Sequence, residues 1–313
     1  MRIVIALGGN AMTSPDGQAR PEDQQAAVTE AAGPIADLVV AGHDVLLTHG
    51  NGPQVGNLLL KNELSAAVVP PVPLDWCGAQ TQATIGDLLL NALDAAFAER
   101  GSDRRTAVLV SRTLVSTDDP GFTKSTKPIG RYLPEEEAKL MMEHGQQFVE
   151  VPGRGWRRVV ASPEPLSVLD GPAAAARVEQ GFVVVCSGGG GIPTVRRSDG
   201  TLEGVEAVID KDLTAALIAE QISADLLVIA TDVDSAVTDW GTPHAQPIGE
   251  VTSREMRAIA KDQGFAAGSM GPKVEAVTRF AERAGGTGII TSLARITHAI
   301  EGHLGTRVLP DRA

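Results

Sequence analysis

The stretch THGNGPQVG, residues 48–56, decides the fold. The residues leading into it, HDVLLTHG, read as a short buried strand. Those that follow, PQVGNLLLKNELS, read as a helix with Val55, Leu58, Leu59 and Asn62 on neighbouring turns. Pro53 suits the first helical position, where a missing N–H costs nothing. Gly50 and Gly52 carry no side chain, so another group can approach the backbone there. An ordinary strand-to-helix turn would use these residues, and so would an anion cradle at a helix N-terminus. The rest of the chain separates the two.

The same grammar recurs. Short apolar runs ending in glycine or polar residues predict strands at Ile3–Leu7, Val45–Thr48, Ala107–Ser111, Phe182–Cys186, Leu226–Thr231 and Gly288–Thr291. Between them, helices are predicted at Glu22–Ala41, Pro53–Ser65, Gly78–Arg100, Gly171–Gln180, Leu213–Ile222 and Pro272–Ala284. Alternating strands and helices imply an α/β fold with a mostly parallel sheet covered on both faces. One segment breaks the rhythm. Residues 118–158 are polar, charged and rich in turn residues, with one short helical stretch at Pro134–Glu143. They read as an irregular lid-like insertion outside the sheet, within a single domain spanning 1–313. Long excursions of this kind are often functional.

Composition bounds the partners. The chain has 313 residues, is 43% hydrophobic and only 3% aromatic, so its core must be aliphatic and alanine-rich. A net charge of −12 argues against nucleic-acid or anionic-membrane binding, which need a basic surface. Cys77 and Cys186 form no CxxC pair, so neither a disulfide framework nor a structural zinc site is expected. MRIVIALGG lacks a signal-peptide pattern and no run reaches transmembrane length, so a cytoplasmic protein is expected.

Four glycine-rich turns stand out: ALGGNA (6–11), THGNGPQVG (48–56), CSGGGGIPTV (186–195) and GSMGPKVEA (268–276), the last opening a helix. In an open parallel sheet, ligands bind beyond the carboxyl ends of the strands. Turns after several strands would share that edge and offer backbone N–H groups to a phosphate. No GxxxxGK[ST] occurs, and no GxGxxG lies between a strand and a helix, which argues against P-loop and Rossmann sites.

Two lysines sit where helices begin. Lys211 lies between Asp210 and Asp212 in VIDKDLTAAL, and Lys273 lies in the first turn of GPKVEAVTRFAERA. A cation at a helix N-terminus opposes the macrodipole. Two such lysines beside glycines and carboxylates suggest a shared anion. Asp232 and Asp234 in IATDVDSAV could bind Mg²⁺ indirectly, line a nucleotide pocket or form a turn. The six histidines show no metal spacing, and no metal-ligand set is assigned. His49 reads as a satisfied histidine at a strand end, and both cysteines as small buried residues.

These motifs, in this order, resemble the amino-acid kinase superfamily and, within it, the carbamate kinases. The segments are ALGGNA, THGNGPQVGNLLL, CGAQTQATIG, TKPIG, VVASPEP, GGGGIP, GVEAVIDKD, TDVD and GSMGPKVEA. The resemblance implies a three-layer α/β/α sandwich with a protruding lid, usually a homodimer. It also implies reversible phosphoryl transfer between ATP·Mg²⁺ and carbamate, giving ADP and carbamoyl phosphate, often run toward ATP at the end of arginine breakdown. By resemblance, Gly8, Gly9, Asn10, Gly50, Asn51 and Gly52 hold the phosphoryl group and carbamate. Lys211 and Lys273 neutralise charge, Asp212 orients them, and Asp232, Val233 and Met270 help line the nucleotide pocket. Many relatives in the superfamily carry a lysine immediately before LGG. Here that position is Ala6, and Lys127 in STKPIG is expected to swing over the site on lid closure as its substitute.

CGAQTQATIGD departs from a CGAMSQGYIGY-like pattern. Thr81 replaces serine, and Ala83 and Asp87 replace glycine and tyrosine, which bears on the dimer more than on the chemistry. Two other readings stay open. One is a kinase of the same fold with another small acceptor; the other is a non-catalytic nucleotide sensor. The GNGPQVG and GGGGIP turns hold no basic residue for a second anionic group, and Lys211, Asp212 and Lys273 are all present.

Overall fold

The computed structural model describes residues 1–8, 20–265 and 270–311. Arg2–Leu7 forms β1, Pro21–Val40 α1, Asp44–His49 β2, Gly52–Ser65 α2, Leu74–Glu99 α3, Thr106–Val108 β3 and Arg112–Leu114 β4. Next come β5 (Lys127–Leu133), α4 (Glu135–Glu143), β6 (Gln147–Val151), β7 (Gly155–Val160), β8 (Ser167–Val168), α5 (Gly171–Glu179) and β9 (Val183–Val185). After the glycine turn follow β10 (Ile192–Arg196), β11 (Leu202–Gly204), α6 (Lys211–Gln221) and β12 (Leu226–Thr231). A small hairpin, β13 (Val237–Thr238) and β14 (Gln246–Pro247), leads to β15 (Glu250–Thr252), α7 (Ser253–Gln263), α8 (Met270–Ala284), β16 (Thr287–Ser292), α9 (Ile296–Ile300) and β17 (Thr306–Leu309).

The main sheet has the order β15-β17-β16-β12-β1-β2-β9-β3. Its pairs are parallel except β16 with β17, so β15 and β17 run against the rest. Side chains alternate across a strand, and the core follows that rule. Ile3, Ile5, Leu7, Val45, Leu47, Val183 and Val185 pack with buried residues of α1 and α3. Val4, Ala6, Leu46, Val184 and Cys186 pack on the other face with α5, α6 and α8. Two apolar layers on one sheet make the expected three-layer α/β/α sandwich.

Because β12, β1, β2 and β9 are parallel neighbours, their C-terminal ends share one edge. Gly8, Gly50, the turn after Cys186 and Asp232 therefore rise from the same rim. A second sheet, β11-β10-β4-β8, was not legible in the sequence. Its strands are two to five residues long, too short for a periodic signal.

Several element bounds differ from expectation. The Ala107–Ser111 strand is shorter, because Ser111 leaves the ladder to bond Gln82. Helix α3 begins at Leu74, four residues before Gly78, with Pro73 at its N-cap. Helix α6 begins at Lys211, because Asp210 caps it. The 118–158 segment is not irregular: β5, β7 and β6 form a three-stranded antiparallel sheet that runs on to Val160, with α4 beside it. Gly130 at φ +68° and a register shift between Ile129 and Tyr132 break the alternation that would have revealed it. The segment leaves and rejoins the body through two chain stretches clasped by Asp119, whose carboxylate accepts from Gly121 N at 2.6 Å and Glu164 N at 3.0 Å.

Candidate active site

The centre of the site is a carboxylate held between two ammonium groups. Asp210 starts α6 as its N-cap, which fixes the direction of the next two side chains. Lys211 Nζ donates to Asp212 Oδ1, and Lys273 Nζ, from the first turn of α8, donates to Asp212 Oδ2 at 3.0 Å. The Asp212 side chain is 4% exposed, and the lysines 12% and 14%. Burial pushes the Asp212 carboxyl up, but the two lysines override it and hold it at about 2. Burial lowers Lys211 from the ordinary lysine value; Asp212 pulls it back up and Lys273 pulls it down. Two cations converging on one carboxylate leave positive charge over, which suits an anionic substrate.

Lys127 joins them. The sequence suggests a lysine that swings in on closure; here its Nζ already lies 2.7 Å from Asp210 Oδ2. Lys124, three residues earlier, is exposed. The backbone around Lys127 is fixed by a close approach. A Cβ on Gly56 of α2 would lie 2.6 Å from Gly130 Cα. Ile129 is buried with Val55 and Cys77.

Of the expected phosphate-holding glycines, Gly8 and Gly50 spend their N–H groups in the sheet. Gly8 N donates to Ala230 O at 2.9 Å and Gly50 N to Leu7 O at 2.9 Å. They can offer close approach but not a donor. Gly52 is different: it opens α2, where first-turn N–H groups have no intrahelical partner. Asn51 precedes it as N-cap and donates to Thr81 Oγ1 at 2.9 Å. Gly9 and Asn10 lie outside the described residues, as do Gly268 and Ser269 of the fourth turn. Asp232 and Val233 follow β12 at the same rim, Asp232 exposed and bonded by Thr231 Oγ1 at 3.0 Å. Met270 is the first residue of α8, one turn before Lys273.

The turn after Cys186 is built more tightly than its sequence suggests. Ser187 (φ 58°), Gly189 (φ 66°), Gly190 (φ 90°) and Gly191 (φ 86°) are left-handed. A Cβ on Gly188 would meet His49 Nε2 at 2.2 Å, and one on Gly189 would meet Asn51 Nδ2 at 2.2 Å. Gln82 Nε2 donates to Gly188 O at 2.9 Å and Ser111 O at 3.1 Å. Thr113 Oγ1 donates to Gly190 O at 2.8 Å, and Thr48 Oγ1 to Ser187 O at 2.9 Å. Sequence reasoning missed Gln82, Ser111 and Thr113 as supports. A signal existed for Gln82: it falls on the buried stripe of α3 with Cys77, Ile85 and Leu89.

His49 corrects another expectation, for only half of it is satisfied. Its Nδ1 lies 2.9 Å from Gly50 O and so carries the proton. Its buried Nε2 has no hydrogen-bond partner among the described residues. Burial lowers it to about 4, against the Gly50 bond and with help from Lys211, so the ring is neutral at pH 7. Both cysteines are buried, as expected.

Gly189→Ala should therefore destabilise the fold by about 2 kcal/mol, from a strained φ and overpacking. It should also shift Asn51. Chemical denaturation measures the first effect; an unchanged midpoint would mean that the turn yields freely.

An α/β/α sandwich with buried lysines and a helix N-terminus at its C-terminal rim is the architecture of a small-molecule phosphotransferase. The sequence model described as the Amino acid kinase family matches residues 1–292, and the chain belongs to that family. Its full-length relatives include carbamate kinases. That of Thermococcus kodakarensis is 44% identical over 98% of this chain and 99% of its own length. That of Pyrococcus furiosus is 42% identical over 99% of each. Among solved structures, carbamate kinase from Giardia lamblia bound to AMP-PNP is 41% identical. It superposes with a TM-score of 0.92 over 99% of this chain and 98% of that one.

Proposed function

We propose that this chain is a carbamate kinase, transferring a phosphoryl group reversibly between ATP and carbamate. The observation that carries the reading is the Lys211–Asp212–Lys273 bridge at the C-terminal rim, in a chain similar to carbamate kinases over its full length. In the ATP-forming direction, the bond from phosphorus to the carbamate oxygen breaks. A bond from phosphorus to a terminal oxygen of ADP forms. Such a transfer demands in-line positioning and neutralisation of spread negative charge more than covalent chemistry.

Each group then has a task. Lys211 and Lys273 neutralise the transferring group, and Asp212 keeps them apart and aimed. The N-terminus of α2, with Asn51 and Gly52, receives the carbamate side. Gly8 and Gly50 border the phosphoryl group, and Gly9 and Asn10 keep the phosphate-holding role that the family resemblance implies. Asp232, Val233 and Met270 line the nucleotide side. Lys127 replaces the cation that Ala6 does not supply: Ala6 is fully buried and faces the layer of α6 and α8. The residues 118–158 act as a lid. The GNGPQVG and GGGGIP turns carry no basic residue for a second anionic group, which favours an acceptor as small as carbamate.

Among the described residues, no group of three His, Cys, Asp or Glu side chains could hold a metal ion. In kinases Mg²⁺ is usually carried on the nucleotide phosphates, with the protein adding one or two carboxylates. Asp210 and Asp212 are engaged by lysines, and Asp232 and Asp234, which follow β12 at the same rim, would at most touch such an ion indirectly. When bound, the ion would neutralise phosphate charge. No helix of the described residues is long and apolar enough to cross a membrane, and a cytoplasmic enzyme serving arginine breakdown is the proposed setting. Exposed Leu64 (79%), Val68 (86%) and Trp76, where α2 passes into α3, support a homodimer.

Protein mixed with ADP, Mg²⁺ and carbamoyl phosphate should yield ATP. ATP-dependent activity on acetylglutamate, aspartate or UMP should be negligible beside it. No ATP above the spontaneous background at any Mg²⁺ concentration would refute the reading.

A further inference from the structure

The two aspartates at the start of α6 have different duties. Asp212 lies between Lys211 and Lys273. Asp210 divides its two oxygens. Oδ1 accepts the N–H of Asp212 at 2.9 Å and of Leu213 at 3.3 Å, which caps the helix. Oδ2 faces the other way and takes Lys127 Nζ at 2.7 Å. A cap needs only one oxygen, and asparagine, serine or threonine would serve. The second, charged oxygen is the part of Asp210 that capping does not explain.

Lys127 needs such a partner. It begins β5, where its backbone pairs with Val160. Packing fixes the strand only two to three residues further on, at Ile129 and Gly130. The lysine side chain itself is a flexible four-carbon stem. Asp210 is the only described side chain bonded to its ammonium group. Asp210 also immediately precedes Lys211, so the contact brings the lid cation to the helix end where Lys211 starts and where Asp212 holds Lys273 of α8.

We propose that Asp210 is a positioning residue that holds Lys127 Nζ at the N-terminus of α6 before substrate arrives. Three lysines from three elements are thereby assembled in advance: one from the β5 sheet, one from α6 and one from α8. The incoming phosphoryl oxygens share Lys127 with Asp210 and need not recruit it from solvent. This rests on the reading above, that Lys127 serves the transfer.

Asp210→Asn separates the two duties, because the amide oxygen still caps α6 while the charge is lost. In ATP formation from carbamoyl phosphate, turnover should fall by about tenfold or more, the scale of a misplaced reacting group. The KM for ADP should stay within about threefold, and the melting temperature should hold. Lys127→Ala should lower turnover at least as far. The double variant should be no worse than Lys127→Ala alone, since one residue acts through the other. Wild-type turnover in Asp210→Asn, or effects that multiply in the double variant, would overturn the proposal. If the wild type makes no ATP, the proposed function fails on its own account. Hydrogen exchange then decides about Asp210. Faster exchange at residues 127–130 in Asp210→Asn supports the proposal, and unchanged exchange there overturns it.

Discussion

Lys211→Ala and Lys273→Ala should each lower turnover by about 10²-fold or more, the scale of losing a preorganised electrostatic group. Both ammonium groups are nearly buried and both are tied to one carboxylate. Their attraction for a phosphoryl group is therefore weakly screened and needs no reorganisation. The fold should survive, because Asp212 keeps one ammonium partner in either variant. Lys211 also costs energy to bury as a cation, as its lowered pKa indicates. The same shift predicts a pH effect. As pH rises, Lys211 loses its proton below the ordinary lysine range, and turnover should begin to fall there. In Lys211→Ala that alkaline limb should disappear. Steady-state kinetics with ADP and carbamoyl phosphate, together with a melting curve, test both statements. Near-normal turnover in both variants would remove these lysines from the chemistry.

The parts of this site visible in the sequence were those fixed by local chain geometry. Pro53 and the glycines around it mark the start of α2 because only the backbone of one turn is involved. Lys211 and Lys273 could be placed at helix starts for the same reason. The β1, β2, β9, β12 and β16 strands were legible because each is a largely buried apolar run bounded by punctuation. What stayed hidden depends on contacts between distant positions. Gln82 reaches Ser111 and Gly188, 29 and 106 residues away. Lys127 and Asp210 meet across 83 residues. No spacing rule predicts such pairs. The sheet of β5, β6 and β7 was hidden differently. Its strands are half exposed, and Gly130 and the shift after Ile129 interrupt their alternation. His49 shows a third limit. Its position at a strand end was readable, but that Nε2 finds no partner among the described residues shows only once Gly188 is seen packed against the ring.

Asp212→Asn should be the most destabilising of these changes, by about 3 kcal/mol near pH 7. Asparagine keeps the volume and can still accept one hydrogen bond, so the loss is electrostatic. It leaves two ammonium groups in a nearly dry pocket with their shared counter-charge gone. Removing one partner of a buried charge pair costs far more than the pair contributes over apolar packing. Lys211 can relieve part of this by releasing its proton, which would cost the variant its activity as well. The sign of the pH dependence follows from the carboxyl held at about 2 against an ordinary value of 3.8. In the wild type this group stabilises the fold fully above about pH 4. The contribution drains away as pH falls toward 2, where Asp212 takes up a proton in the folded state. A protonated aspartate and an asparagine are nearly the same group. The stability gap between wild type and variant should therefore be wide at pH 7 and should close between pH 4 and 2. Urea titrations across that range measure it directly. A gap that stays constant with pH would mean that Asp212 acts through hydrogen bonding or packing, not through its charge.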